Sequence, residues 1–171
     1  HIMNLAGSFY EVPHFHSGGI PFTRPITTHG RYITDHGTWR GLLALTGVKK
    51  EAVASEHIRK SSDGKAAVWL GAVDDLWHMG PPKGVGGPWK YDNVSAGATS
   101  DAYFFYGYLN KELEIRHESG KSIEFALEID ILGDGKWVKA KTFKVESGKS
   151  FKHSFDKSFT ARWVRFKVDG T

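Results

Sequence analysis

The chain has 171 residues, of which 40% are hydrophobic, 25% charged and 13% aromatic, an ordinary composition for a globular core. It has no cysteine, which excludes disulfides, thiolate metal sites and cysteine nucleophiles. Lysine and arginine number 23 against 19 aspartate and glutamate, and the formal charge of +4 is spread along the chain rather than gathered into a nucleic-acid arm. No window approaches the roughly 18 consecutive apolar residues of a membrane span, and the N-terminus lacks a leader pattern, so no membrane contact is expected.

Residues 1–3, His1-Ile2-Met3, read as a cloning remnant, because Met3 is not the first residue. The chain is therefore read as a piece excised from a longer protein. Residues 4–37 read as an N-terminal wrapping or interdomain segment; its later part, 13–37, holds three prolines and His14, His16, His29 and His36. Residues 38–171 read as a β-sandwich domain with a long Trp-bearing loop at 74–100. Within it, 39–48 and 66–73 are continuously apolar, as strands buried on both faces would be. Between them, 47–65 is polar, a loop or a short helical turn around 51–54. The stretch 74–100 is rich in glycine and proline yet carries Trp77, Trp89 and Tyr91. A loop of that length in a compact domain is usually functional or disordered, and tryptophan argues against disorder.

Residues 103–108 form an aromatic strand, and Leu113 and Ile115 alternate with charged neighbours in the next. The clearest signal is Ile123, Phe125, Leu127, Ile129 and Ile131 alternating with Glu124, Ala126, Glu128 and Asp130. That period of two predicts a half-buried strand, and Gly133-Asp134-Gly135 turns it into a returning strand over 137–145. Phe159, Ala161 and Trp163 share one parity while Val164, Phe166 and Val168 take the other, which a β-bulge at the Trp163-Val164 step would reconcile. The pentapeptide Glu-Ser-Gly-Lys-Ser occurs at 118–122 and again at 146–150, each time ahead of a strand. It reads as shared turn chemistry. Many short strands with Gly, Pro, Asn and Asp turns, and no sustained helical period, predict an all-β antiparallel sandwich of the jelly-roll kind.

Chemistry concentrates in residues 74–90, where Trp77 and Trp89 accompany Asp75, His78, Lys83 and Lys90. Indole faces stack on the apolar faces of sugar rings, while carboxylates, amines and imidazoles reach the hydroxyl rim. The plainer alternative is that both tryptophans only anchor the loop. Arg40, Tyr106 and Tyr108 are carried as neighbouring ligand contacts. The glycines would let backbone approach a ligand closely. His14 and His16, at i and i+2, share a face and invite a divalent ion, but no carboxylate stands at a matching spacing. No cofactor is expected apart from a structural calcium ion, for which Asp130, Asp134 and Gly135 offer oxygen ligands, although an Asp-Gly hairpin explains the same residues.

A catalytic alternative draws its base, acid and carboxylate neutraliser from Tyr106, Tyr108, His36, His78, Arg40 and Lys83. Asp74 and Asp75 are adjacent and would point apart on a strand, so they make no facing glycosidase pair by themselves. Asn93-Val94-Ser95 fits a glycosylation acceptor.

The run from Phe125 to Asp130 through Gly133-Asp-Gly-Lys-Trp137, with Phe143-Lys-Val145 and Ala161-Arg-Trp-Val-Arg165, resembles galactose-binding-like (discoidin-like) β-sandwich modules. Thr34-Asp-His-Gly-Thr-Trp-Arg-Gly-Leu-Leu43 and the Asp74 to Lys90 stretch look like sandwich regions of secreted bacterial glycan-active proteins. The resemblance implies a galactose-binding-like fold and a carbohydrate ligand; the Trp-bearing insertion departs from it, so no ligand site is carried across. The expected function is a non-catalytic carbohydrate-binding module, secreted or at the cell surface, whose partners are a polysaccharide and neighbouring domains of a larger chain. The basic balance admits an anionic glycan, uronic or sulfated. A β-sandwich polysaccharide lyase or hydrolase, and an interdomain scaffold, are the alternatives.

Overall fold

A computed structural model describes residues 1–169. The regular structure is mostly antiparallel β-strand, and the chain divides into two compact units, each with its own core. The first unit comprises His1–Val12 and Pro25–Lys83, the second Pro13–Arg24 and Gly84–Thr171.

In the first unit, β1 (Ile2–Leu5), β2 (Ser8–Glu11) and β3 (Arg24–Thr28) make one sheet. A second contains β4 (His36–Trp39), β5 (Leu42–Leu45), β6 (Ile58–Lys60) and β7 (Ala67–Gly71) in the order β4-β5-β7-β6. Ile2 and Met3 are thus inside a strand. The stretch 13–37 holds β3 and the start of β4 instead of only wrapping the surface. The predicted strand 39–48 is a hairpin, because Arg40 and Gly41 both adopt left-handed backbone, φ 50° and 82°, which is the two-residue turn that matches strand twist. Ala6 and Gly7 turn β1 into β2 in the same way, with φ 48° and 78°. In β5, Leu43 and Leu45 are buried while Leu42 is exposed, so this strand buries one face, not two. Residues 51–54 form no helical turn; the segment turns through Ala52 N–H on Lys49 O.

Phe9, Ile26, Leu43, Leu45, Trp69 and Leu76 form the core of this unit. Leu76 is fully buried and sits in a one-sided 3-10 segment, Val73–Met79, which it holds against the sheet. The chain beyond that segment is tied to β3 by threonines: Thr27 Oγ1 donates to Gly80 O at 2.7 Å, and Thr28 Oγ1 donates to Lys83 O at 2.9 Å while accepting from Lys83 N–H at 2.8 Å.

The second unit pairs β8 (Tyr103–Phe104), β10 (Ile123–Asp130), β11 (Val138–Val145) and β13 (Trp163–Asp169) in the order β11-β10-β13-β8, with β9 (Glu112–Ile115) and β12 (Phe151–Ser154) in a second, two-stranded sheet. The alternation of β10 and β13 puts Phe125, Leu127, Ile129, Val164, Phe166 and Val168 on one core, against which Leu113, Ile115 and Phe151 of the smaller sheet pack. Two antiparallel sheets thus share one apolar interior, and truncating a fully buried side chain such as Leu127 to Ala costs about 2–5 kcal/mol.

The register of β13 on β10 is unbroken from Asp130↔Trp163 to Glu124↔Asp169, so there is no bulge at the Trp163-Val164 step. Parity changes there because the strand begins at Trp163 and Ala161 lies before it. The register shift falls instead between Leu127 and Glu128, where β10 meets β11. Edge strand β11 exposes Lys139, Lys141 and Lys144, charges that discourage sheet-to-sheet association. The 133–135 turn is organised by the buried Asp130, whose carboxylate accepts backbone N–H groups from Gly133, Asp134 and Gly135 at 2.7, 3.3 and 2.8 Å.

Candidate functional site

The predicted ligand residues fall into both units. Arg40, Asp75, Trp77, His78 and Lys83 belong to the first, and Trp89, Lys90, Tyr106 and Tyr108 to the second.

In the first unit the 3-10 segment that buries Leu76 turns Trp77 and His78 outward; Trp77 is 43% exposed. Asp75 is engaged locally. Its Oδ2 accepts the Ala72 N–H at 2.6 Å, and the histidine rings of His57 and His78 stand 4.0 and 3.9 Å from its two oxygens. His57 stacks on the buried Trp69 at 4.9 Å and has its Nδ1 3.0 Å from Leu70 O. Gly71 is the gap that admits this cluster, since a Cβ there would stand 2.4 Å from the Trp69 ring and 2.7 Å from Asp75 Oδ2. Arg40 occupies its turn and lies over the exposed Trp39 ring at 5.1 Å. Lys83 is fixed through its backbone and exposes its side chain.

In the second unit residues 87–94 border an open cleft of about 940 Å³ whose other wall is β9 and the 116–119 turn. Trp89 is half-buried there, packed on the sandwich core and lining the cleft at the same time. Anchoring and ligand-facing readings of this residue are therefore compatible. Tyr91 is fully exposed and holds left-handed backbone, φ 60°, a conformation costly for a bulky side chain. The turn that places it is closed by Asp92, whose carboxylate accepts Lys90 N–H at 2.9 Å. The Lys90 ammonium lies 6.0 Å from the Tyr91 ring centroid.

Tyr106 and Tyr108 are not among the residues that line this cleft. The Arg162 guanidinium lies over Phe22 at 4.2 Å and Tyr106 at 5.3 Å. Tyr108 and Tyr103 lie under the 84–87 loop: a Cβ on Gly84 would meet Tyr108 Oη at 3.1 Å, and Tyr103 Oη donates to Gly87 O at 3.0 Å. The loop glycines thus let backbone approach tyrosines of the same unit. Of the proposed acid-base set, Tyr106 and Tyr108 lie in the second unit and His36, His78, Arg40 and Lys83 in the first.

Sequence reasoning passed over Tyr91 as a ligand residue, along with Arg116, His117 and Glu118 on the facing wall. A signal for Tyr91 was available in its place two residues after Trp89 and before the turn-forming Asp92-Asn93. His14 and His16 stack on each other at 5.2 Å, whereas His29 and His36 approach Asn4 Oδ1 and Ile2 O. Among the described residues no group of three or more His, Cys, Asp or Glu side chains is arranged to hold a metal ion, and no helix is long and apolar enough to cross a membrane. No family model, curated protein or solved structure matches the chain.

Proposed function

We propose that this chain is a non-catalytic carbohydrate-binding module with a galactose-binding-like jelly-roll sandwich, part of a secreted or cell-surface glycan-active protein. The observation that carries the reading is Tyr91, a fully exposed ring held in left-handed backbone on the lip of the open cleft beside Trp89. Strained backbone presenting an aromatic to solvent is a costly arrangement that a packing role does not explain. Flat rings two residues apart, with amine, carboxylate and imidazole groups around them, suit the apolar faces and hydroxyl rims of sugars. The cleft volume of about 940 Å³ falls within the range of small-ligand clefts. On the first unit, Trp77 with Asp75 and His78 supplies a second exposed ring with polar company.

Affinity electrophoresis of the full chain in polysaccharide gels tests this. Tyr91→Asn, which keeps a residue tolerant of left-handed backbone, is expected to melt no lower than the parent and to weaken retardation about tenfold. Trp77→Ala separates a contribution of the first unit. Free passage of the parent chain through every gel refutes the reading, retardation unchanged in both variants moves the binding surface away from Tyr91 and Trp77, and release of reducing ends or unsaturated products would replace the reading with a catalytic one.

A further inference from the structure

We infer that the cleft of the second unit takes an uncharged sugar chain and disfavours uronate and sulfate polymers, an inference that rests on the carbohydrate reading above. The overall charge of +4 points the other way, but it does not describe this surface. Two cations, Lys90 and Arg116, line the cleft with three carboxylates, Asp92, Glu114 and Glu118, and Lys152 Nζ stands 3.7 Å from Glu114, so the local charges balance instead of forming a positive surface.

The charges are also engaged with one another. Arg116 directs Nε and Nη2 to a single oxygen of Glu118 at 3.0 and 2.8 Å. Glu114 accepts the Ser150 hydroxyl and lies 3.7 Å from Lys152 Nζ. Asp92 closes the Lys90 turn. His117 has its Nε2 at 3.0 Å from Val145 O and its Nδ1 accepting the Ser119 N–H at 3.4 Å.

A polyanion gains little here: it has to displace Glu118 from Arg116, and the cleft lining offers it no surplus of cations over carboxylates. A neutral sugar meets no such opposition. Its hydroxyls can donate to the remaining lone pairs of the same carboxylates and accept from Lys90 and Arg116, while its apolar face lies on Tyr91 and Trp89. The lysines that make the chain basic include Lys139, Lys141 and Lys144 of edge strand β11, which are not among the lining residues.

The test is affinity electrophoresis of the full chain in gels containing a β-glucan, a galactomannan, polygalacturonate, alginate or a sulfated galactan, each at low and high salt. Retardation by a neutral gel, equal at both salt concentrations and weakened about tenfold in Tyr91→Asn, is the expected result. Retardation confined to an anionic gel, relieved by salt and lost in Tyr91→Asn, overturns the charge inference and leaves the carbohydrate reading standing. Free passage through all five gels overturns the carbohydrate reading itself. A thermal melt of Tyr91→Asn establishes that the variant is folded in each comparison.

Discussion

The backbone N–H of Gly148 donates to the carbonyl of His117 at 2.8 Å, and the Gly120 N–H donates to Ser147 Oγ at 3.0 Å, so the two Glu-Ser-Gly-Lys-Ser turns are bound side by side. Each turn places its glycine in left-handed backbone, φ 81° at Gly120 and 73° at Gly148. The pair fixes the wall of the cleft that carries His117 and Glu118. Gly148→Ala meets only Glu118 Oε2, at 3.6 Å, so its expected cost is the backbone alone, about 1–2 kcal/mol. Gly133→Ala adds contact of the new Cβ with Arg162 Cδ at 2.9 Å and Pro21 O at 3.0 Å, and should cost more. Urea unfolding of the two variants checks the order; equal costs would contradict it.

Arg40→Asn should stabilise the first unit or leave it unchanged. Asparagine tolerates the left-handed backbone that Arg40 adopts at φ 50°, and the relief is about 1 kcal/mol against loss of the stack on Trp39. The same variant is a control for ligand contact: lowered melting temperature would mean that the turn argument is wrong, and weakened gel retardation at unchanged stability would give Arg40 a binding role.

Thr23 has a buried hydroxyl with no hydrogen-bond partner among the described residues. Replacing it by Val removes a desolvated polar atom at nearly constant shape, so Thr23→Val is expected to raise stability by about 1 kcal/mol. Calorimetric melting measures this, and a destabilised variant would show that the hydroxyl is satisfied in solution.

Stability should fall on mild acidification. Burial, reinforced by the charge of Arg31, lowers the pKa of His29 from its usual 6.5, and burial with Lys141 does the same at His153, whose Nε2 stands 3.2 Å from the Lys141 ammonium. Both rings bind a proton more tightly when unfolded. Their contribution is whole above about pH 6.5 and is lost as pH falls through the lowered folded values. Urea midpoints should therefore drop between neutral and acid pH, and His153→Gln should reduce part of the drop. A midpoint that rises on acidification would reverse the sign.

The antiparallel class of the fold was legible because side-chain alternation is a local property. Residues 123–131 announce β10 by period alone, and Asp130 with Gly133 and Gly135 announce the turn after it. Sequence reading failed where one backbone angle decides the outcome. Arg40 looks like the middle of an apolar strand, yet its positive φ makes it the corner of a hairpin. The bulge expected at Trp163 was an inference about parity that ignored where the strand begins.

The candidate site was legible as composition and not as position. Trp77 and Trp89 stand 12 residues apart on one glycine-rich stretch, which invites a single platform; the chain passes from one compact unit to the other between them, after Lys83. Residue type and spacing by themselves determined that this chain builds antiparallel sheets and carries aromatic rings on an irregular loop, since both follow from neighbours in sequence. Only the tertiary structure decided that Tyr91 is exposed, that Trp89 is half-anchored, and that Glu114 of the cleft is paired with Ser150 and Lys152 far along the chain, because burial and such pairing depend on groups that are not neighbours in sequence.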